Sequence, residues 1–66
     1  MGRIRRGGYM FMWWIGDHPP RHVHVYDKNG RLVTRVNLET LQPMDIPNVE
    51  RKILELIREL QEEGRL

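Results

Sequence analysis

Three histidines fall within seven positions of one another, in the run Asp17-His18-Pro19-Pro20-Arg21-His22-Val23-His24-Val25. Imidazole changes charge near neutral pH and is the commonest metal ligand, so such a cluster suggests either metal binding or proton transfer. His22 and His24 are two apart. On a strand that spacing puts both rings on one face, with Cα atoms about 6.5–7 Å apart. Two imidazoles so placed could converge on a divalent metal such as zinc, which takes nitrogen at about 2.0–2.1 Å and needs a third or fourth ligand. Asp17 or His18, folded back by the prolines, would supply it, so Asp17, His18, His22 and His24 form the candidate metal set. The plainer alternative makes the histidines half-exposed polar positions on the open face of a small sheet. Neither a His-Glu-x-x-His motif nor a cysteine accompanies them.

Acid–base chemistry is the other option. His22, His24 and Arg35, with Tyr26 nearby, resemble the Arg, His and Tyr sets by which metal-independent RNA-cleaving toxins act, so His22, His24 and Arg35 are the candidate catalytic residues. Nucleophilic catalysis of the serine or cysteine type is excluded, because the chain has neither residue and its only aliphatic hydroxyls are Thr34 and Thr40. The alternation His22-Val23-His24-Val25 looks superficially like a histidine-triad hydrolase, but Tyr26 stands where a third alternating histidine would fall.

The elements that position these residues can be read along the chain. Residues 1–8 read as a flexible basic arm, because three glycines raise the entropy cost of ordering it and Arg3, Arg5 and Arg6 favour solvent. Tyr9 to Ile15 reads as a strand that is apolar on both faces. Tyr9, Phe11, Trp13 and Ile15 share one face; Met10, Met12 and Trp14 share the other. The prolines make 16–21 a turn. His22–Tyr26 is a second strand and Leu32–Leu38 the return strand, joined through Asn29-Gly30, a strong type I′ hairpin signal. With a two-residue loop, Tyr26 pairs with Val33, His24 with Arg35 and His22 with Asn37. The other face then collects Val23, Val25, Leu32, Thr34, Val36 and Leu38. A competing register makes Asp27-Lys28-Asn29-Gly30 a type I turn with a glycine bulge, and would mix the histidines with Leu32, Val36 and Leu38. Burial favours the first. After a connector containing Pro43 and Pro47, a helix is expected over about 48–63, with apolar Val49, Ile53, Leu54, Leu56, Ile57 and Leu60, a cap from Asp45 or Asn48, and Gly64 at its C′ position. The expected fold is α+β: a three-stranded antiparallel sheet packed on one C-terminal helix (β-β-β-α), with residues 9–66 as a single domain.

If the first strand pairs antiparallel beside the second, Met10, Met12 and Trp14 join His22, His24, Tyr26 and Arg35 on the sheet's polar face. Exposed aromatics with arginine make a stacking platform for unpaired bases. The candidate nucleic-acid-binding residues are Arg3, Arg5, Arg6, Arg21, Tyr26 and Arg35. Methionine-rich apolar patches more often mark protein contacts, so Met10, Met12 and Trp14 are also the candidate interface, most simply of a homodimer.

Composition sets the outer bounds. Sixty-six residues make one domain with a thin core. Without cysteine neither disulfides nor thiolate metal sites can reinforce it, which leaves a histidine site, self-association or good packing. No apolar run approaches the roughly 20 residues that span a bilayer, and no signal-type segment follows the basic N-terminus, so a cytoplasmic protein with no membrane association is expected. Nine arginines against two lysines would suit a thermophile. The net charge of +2 conceals an asymmetry: residues 1–36 carry seven cations and two acids, residues 37–66 four cations and seven acids. The basic half could face RNA or DNA, although charge richness alone would also make a solvated surface.

Taken together, these residues resemble a known pattern. The run from Asp17 to Val25 resembles the DHNPPHFHV signature of a family of small bacterial proteins, domain of unknown function family 4160. It matches at Asp17, His18, Pro20, His22, His24 and Val25, with Pro19 where asparagine is common and Arg21 where a second proline is usual. Gly8 and the apolar strand after it, the strand end Val36-Asn37-Leu38-Glu39-Thr40, and Ile46-Pro47 before a helix are similar in spacing, so the resemblance covers residues 8 to about 63. It implies no particular reaction. It implies a place in small two-gene modules of the toxin–antitoxin type, hence a cognate small partner protein, and it marks Asp17, His18, His22 and His24 as distinctive. Arg21 adds positive charge beside the histidines, which disfavours a cation and favours an anion. The expected function is nucleic-acid binding within such a module. The alternatives are a small ribonuclease or metal-assisted hydrolase, and a protein-interaction module without catalysis.

Overall fold

The computed structural model describes residues 2–16 and 18–66. The metal-ligand expectation for Asp17 lies outside the described residues. Strands β1 (Gly2–Arg6), β2 (Tyr9–Trp13), β3 (His22–Tyr26) and β4 (Leu32–Asn37) form one antiparallel sheet in the order β1-β2-β3-β4, and helix α1 (Arg51–Glu62) follows. The α+β class and the single C-terminal helix agree with the sequence reading. The sheet, however, has four strands and not three.

The additional strand is β1, in the stretch read as a basic arm. Its cause is local. Gly7 and Gly8 both adopt positive φ, 61° and 86°, the pair of left-handed conformations that a two-residue I′ hairpin loop requires. Arg6 pairs with Tyr9 across that loop, and the ladder continues through Arg5–Met10, Ile4–Phe11 and Arg3–Met12 to Gly2–Trp13. Gly7 serves a second purpose, since a Cβ there would lie 2.7 Å from a methyl of Leu56. Arg3-Ile4-Arg5 alternates, so Ile4 turns inward to the core while Arg3 and Arg5 stay exposed. At its other end β2 stops at Trp13, earlier than expected; Ile15 is 91% exposed and shares no buried face.

The β3–β4 hairpin combines the two registers. His22–Asn37, Val23–Val36, His24–Arg35 and Val25–Thr34 pair as the favoured register requires. The loop takes the competing form: the Gly30 amide donates to the Asp27 carbonyl at 3.0 Å, Gly30 has φ 81°, and the Asp27 carboxylate accepts from the Asn29 and Arg31 amides. A bulge between Val25 and Tyr26 absorbs the difference. Tyr26 therefore pairs with Leu32, correcting the expected Tyr26–Val33 pair, and Leu32 is half exposed instead of lying on the apolar face.

The core lies between the sheet and α1. Phe11, Val23, Val25 and Val36 from the sheet meet Ile53, Leu56, Ile57 and Leu60 from the helix, with Thr34 buried beside them. Burying each of the larger apolar side chains contributes about 1.5–3 kcal/mol. The helix begins at Arg51, three residues later than expected, and neither Asp45 nor Asn48 caps it; Glu50 occupies the N-cap without a side-chain bond. Asp45 is held elsewhere, on β4. The C-terminus ends as predicted: Gly64 takes φ 76°, and the amides of Gly64 and Arg65 donate to the carbonyls of Gln61 and Leu60.

Candidate functional site

One face of the sheet carries α1 and the other carries the histidines. Residues directly opposite one another in an antiparallel ladder share a face. The pairings therefore draw two rows across the open face: Arg3, Met12, His24, Arg35 and Arg5, Met10, Tyr26, Leu32. His22 and Asn37 form the start of a third. Thus the side-by-side placement of Met10 and Met12 with His24 and Tyr26 holds, and β1 extends the face with two arginines.

Within the face the aromatic rings are in contact. Trp14 meets His24 edge-on with centroids 4.5 Å apart, and His22 lies 5.1 Å from His24 at 55°. The Nδ1 of His22 is 2.9 Å from the carbonyl oxygen of Pro20. A carbonyl only accepts, so Nδ1–H donates, and in the neutral ring Nε2 carries the lone pair that can accept a proton. Pro20 lies in the loop before β3, where the Pro19–Pro20 peptide bond is cis. The loop thus sets the tautomer of His22 as well as its position. Arg21, Trp14 and His22 also line a cleft of about 330 Å³ beside the open face, with Trp13, Gly16 and Arg65.

Of the metal set, His22 and His24 come together. His18 is exposed in the preceding loop, and the described residues contain no group of three His, Cys, Asp or Glu side chains arranged to hold a metal ion.

The arginines divide into two classes. Arg35 faces His24 across the ladder, but its guanidinium is engaged by Asp45, with Nη2 donating to Oδ1 at 2.7 Å and Nε to Oδ2 at 3.2 Å. Those bonds, together with the Arg35 amide, hold the Asp45 carboxyl down from 3.8 to about 2. Arg6 turns to the helix side, where its guanidinium forks onto Glu63 at 2.6 and 2.8 Å with Glu59 at 3.7 Å. Arg3 and Arg5, by contrast, are exposed on the open face. The candidate catalytic residues His22, His24 and Arg35 are therefore neighbours on the face, with a carboxylate already on the arginine.

Sequence reasoning missed both β1 and Asp45. A signal for β1 was present, since Gly7-Gly8 between alternating residues is an I′ hairpin pattern. Asp45 had no local signal, because its partner is ten residues away.

The fold and face define a small ββββα domain with a helix-covered side and an open, cationic-aromatic side. The chain belongs to the domain of unknown function family DUF4160, whose model matches residues 7–65. That span begins after β1, which lies outside the family match. No curated protein and no solved structure matches the chain.

Proposed function

We propose that this protein binds single-stranded nucleic acid on the open face of its sheet, as one member of a two-protein module of the toxin–antitoxin type. The observation that carries the reading is the β1–β2 ladder, which sets Arg3 and Arg5 directly across from Met12 and Met10 and in line with His24 and Tyr26. Phosphates would lie along the arginine edge while bases rest on Tyr26, Trp14 and the methionines. Base–aromatic stacking is worth about 1–3 kcal/mol per base and is indifferent to sequence. Arg21 would contribute at the Trp14 end. Arg6 and Arg35 contribute less than the sequence suggests, because Glu63 and Asp45 already neutralise them. No helix among the described residues is long and apolar enough to cross a membrane.

A ribonuclease reading has one specific support, the His22–His24 pair with the His22 tautomer set by Pro20. It predicts cleavage that a His22→Ala variant loses while binding persists.

Anisotropy titration of a fluorescent single-stranded RNA from about 50 to about 300 mM salt tests binding, because each phosphate that the protein neutralises steepens the salt dependence by about 0.7. The Arg3→Ala/Arg5→Ala double variant should lower that slope by about 1.4, and Trp14→Ala should weaken binding about tenfold without changing it. Affinity indifferent to salt, or a slope unchanged in the double variant, would overturn the proposal.

A further inference from the structure

The sheet has two edges, and the chain closes one of them. On β4 the residues whose backbone polar groups point outward are Arg35 and Asn37. All four of those groups are satisfied: the Arg35 amide donates to the Asp45 carboxylate at 2.9 Å, the Arg35 carbonyl accepts from Met44 at 2.8 Å, the Asn37 amide donates to Gln42 at 2.9 Å, and the Asn37 carbonyl accepts from Leu41 at 2.7 Å.

On β1 the corresponding residues follow from the hairpin. Arg6 and Tyr9 flank a two-residue loop, so they form a hydrogen-bonded pair, as do Ile4–Phe11 and Gly2–Trp13. Arg3 and Arg5 therefore turn their amide and carbonyl groups away from β2. Among the described residues β1 is the end of the strand order, and no backbone bond from a turn or loop reaches it.

We propose that the β1 edge takes an extended acidic segment of a partner protein as a fifth strand, with carboxylates at alternate positions opposite Arg3 and Arg5. Two observations choose this occupant. First, the β4 edge already shows the arrangement in miniature: Asp45 docks on an outward-facing arginine, meeting its amide and its guanidinium with one carboxylate. Second, a second copy of this chain is a poor fit. Every antiparallel register that hydrogen-bonds two β1 edges must align outward residues with outward residues, so arginine always opposes arginine, and like charges directly opposite are destabilising. A segment with glutamate or aspartate at i and i+2 converts both repulsions into attractions and adds main-chain bonds. The residue between the two acids would lie on the helix side, level with Ile4, and should be apolar and β-branched. The inference does not depend on nucleic-acid binding.

The test uses the full chain and a capped peptide, acetyl-Val-Glu-Val-Glu-Val-amide, followed by amide hydrogen exchange. Millimolar peptide should slow exchange at the Arg3 and Arg5 amides about tenfold while leaving the Ile4 amide, already in the ladder, unchanged. Methylating the peptide nitrogens that face β1 should abolish that protection, replacing both glutamates by lysine should do the same, and Arg3→Glu/Arg5→Glu should weaken binding at least about tenfold. The inference is overturned if the Arg3 and Arg5 amides stay unprotected at millimolar peptide, if the methylated or lysine peptide binds as well, or if those amides are already protected in a homodimer without peptide.

Discussion

The two edges of the sheet pose the same problem and receive different answers. Each presents a pair of residues with outward backbone groups, Arg3 and Arg5 on β1, Arg35 and Asn37 on β4. An exposed edge is a template for pairing with another chain, and proteins commonly cover or charge it. On β4 the chain doubles back: residues 41–45 run alongside, Val36 bridges to Pro43, and Asp45 locks onto Arg35. On β1 nothing from the described chain returns, and the protection against self-pairing is charge alone. Coverage removes an edge from recognition, whereas charge restricts recognition to partners of opposite sign. The closed edge is architecture, and the charged edge remains available.

The sharpest way to break the comparison is to place proline on β1. Proline removes one amide, and the cost depends on where that amide points. Ile4→Pro deletes a ladder bond to Phe11 and an apolar side chain packed on the core, and should cost about 3 kcal/mol or more in urea unfolding. Arg5→Pro removes an amide that faces away from β2 and should cost about 1 kcal/mol or less. It should also abolish peptide protection at the edge. Equal costs for the two substitutions would show that the assignment of inward and outward groups is wrong.

A smaller effect is expected from reopening β4. Asp45→Ala removes the bonds to the Arg35 amide and guanidinium; at a partly exposed edge that should destabilise by about 1–2 kcal/mol. The Asp45 carboxyl is held below its ordinary value, from 3.8 to about 2, first by the Arg35 side chain and then by its amide. A depressed carboxyl contributes stability that is fully present above its unfolded pKa. That contribution should fade as pH falls from about 4 towards 2. Unfolding measured across that window should show a shallower loss for Asp45→Asn than for the parent.

The same contrast explains what was legible in the sequence. The helix could be read from the spacing of Ile53, Leu56, Ile57 and Leu60, and its end from Gly64, because both signals are local. The register of β3 against β4 was legible from burial, since a slip would have exposed Val23, Val25 and Val36. The loop chemistry of Asp27 and Gly30 was legible too, but as a rival to that register. A bulge that satisfies both leaves no mark of its own in the sequence. The histidine pair followed from spacing alone. Arg35 was harder, because its role depends on Asp45, and the connector resembles a simple proline-rich loop until it is laid against β4. Strand β1 was hidden by composition: arginine and glycine suggest an arm, although their order, alternation followed by Gly-Gly, describes a hairpin.

The smallest effect belongs to the arginine that β1 directs inward. Arg6 alternates with Arg3 and Arg5 in composition but not in direction, and its fork onto Glu63 ties β1 to the end of α1. That bond holds the Glu63 carboxyl below its ordinary value, with help from the nearby positive charge of Arg65. The pair's contribution is therefore present above the unfolded glutamate value and lost as pH falls through the depressed one. Both side chains are partly exposed at the surface, so salt should screen the pair and keep its contribution small. Glu63→Gln should produce a slight loss of thermal stability in low salt that vanishes in high salt. It should leave exchange at the Ile4 amide unchanged, because that group is held by the ladder to Phe11 and not by the bond being removed. Faster exchange at Ile4 in that variant would mean that β1 is held to the sheet by its tie to the helix more than by its ladder to β2. The charged edge would then be only as durable as one surface ion pair.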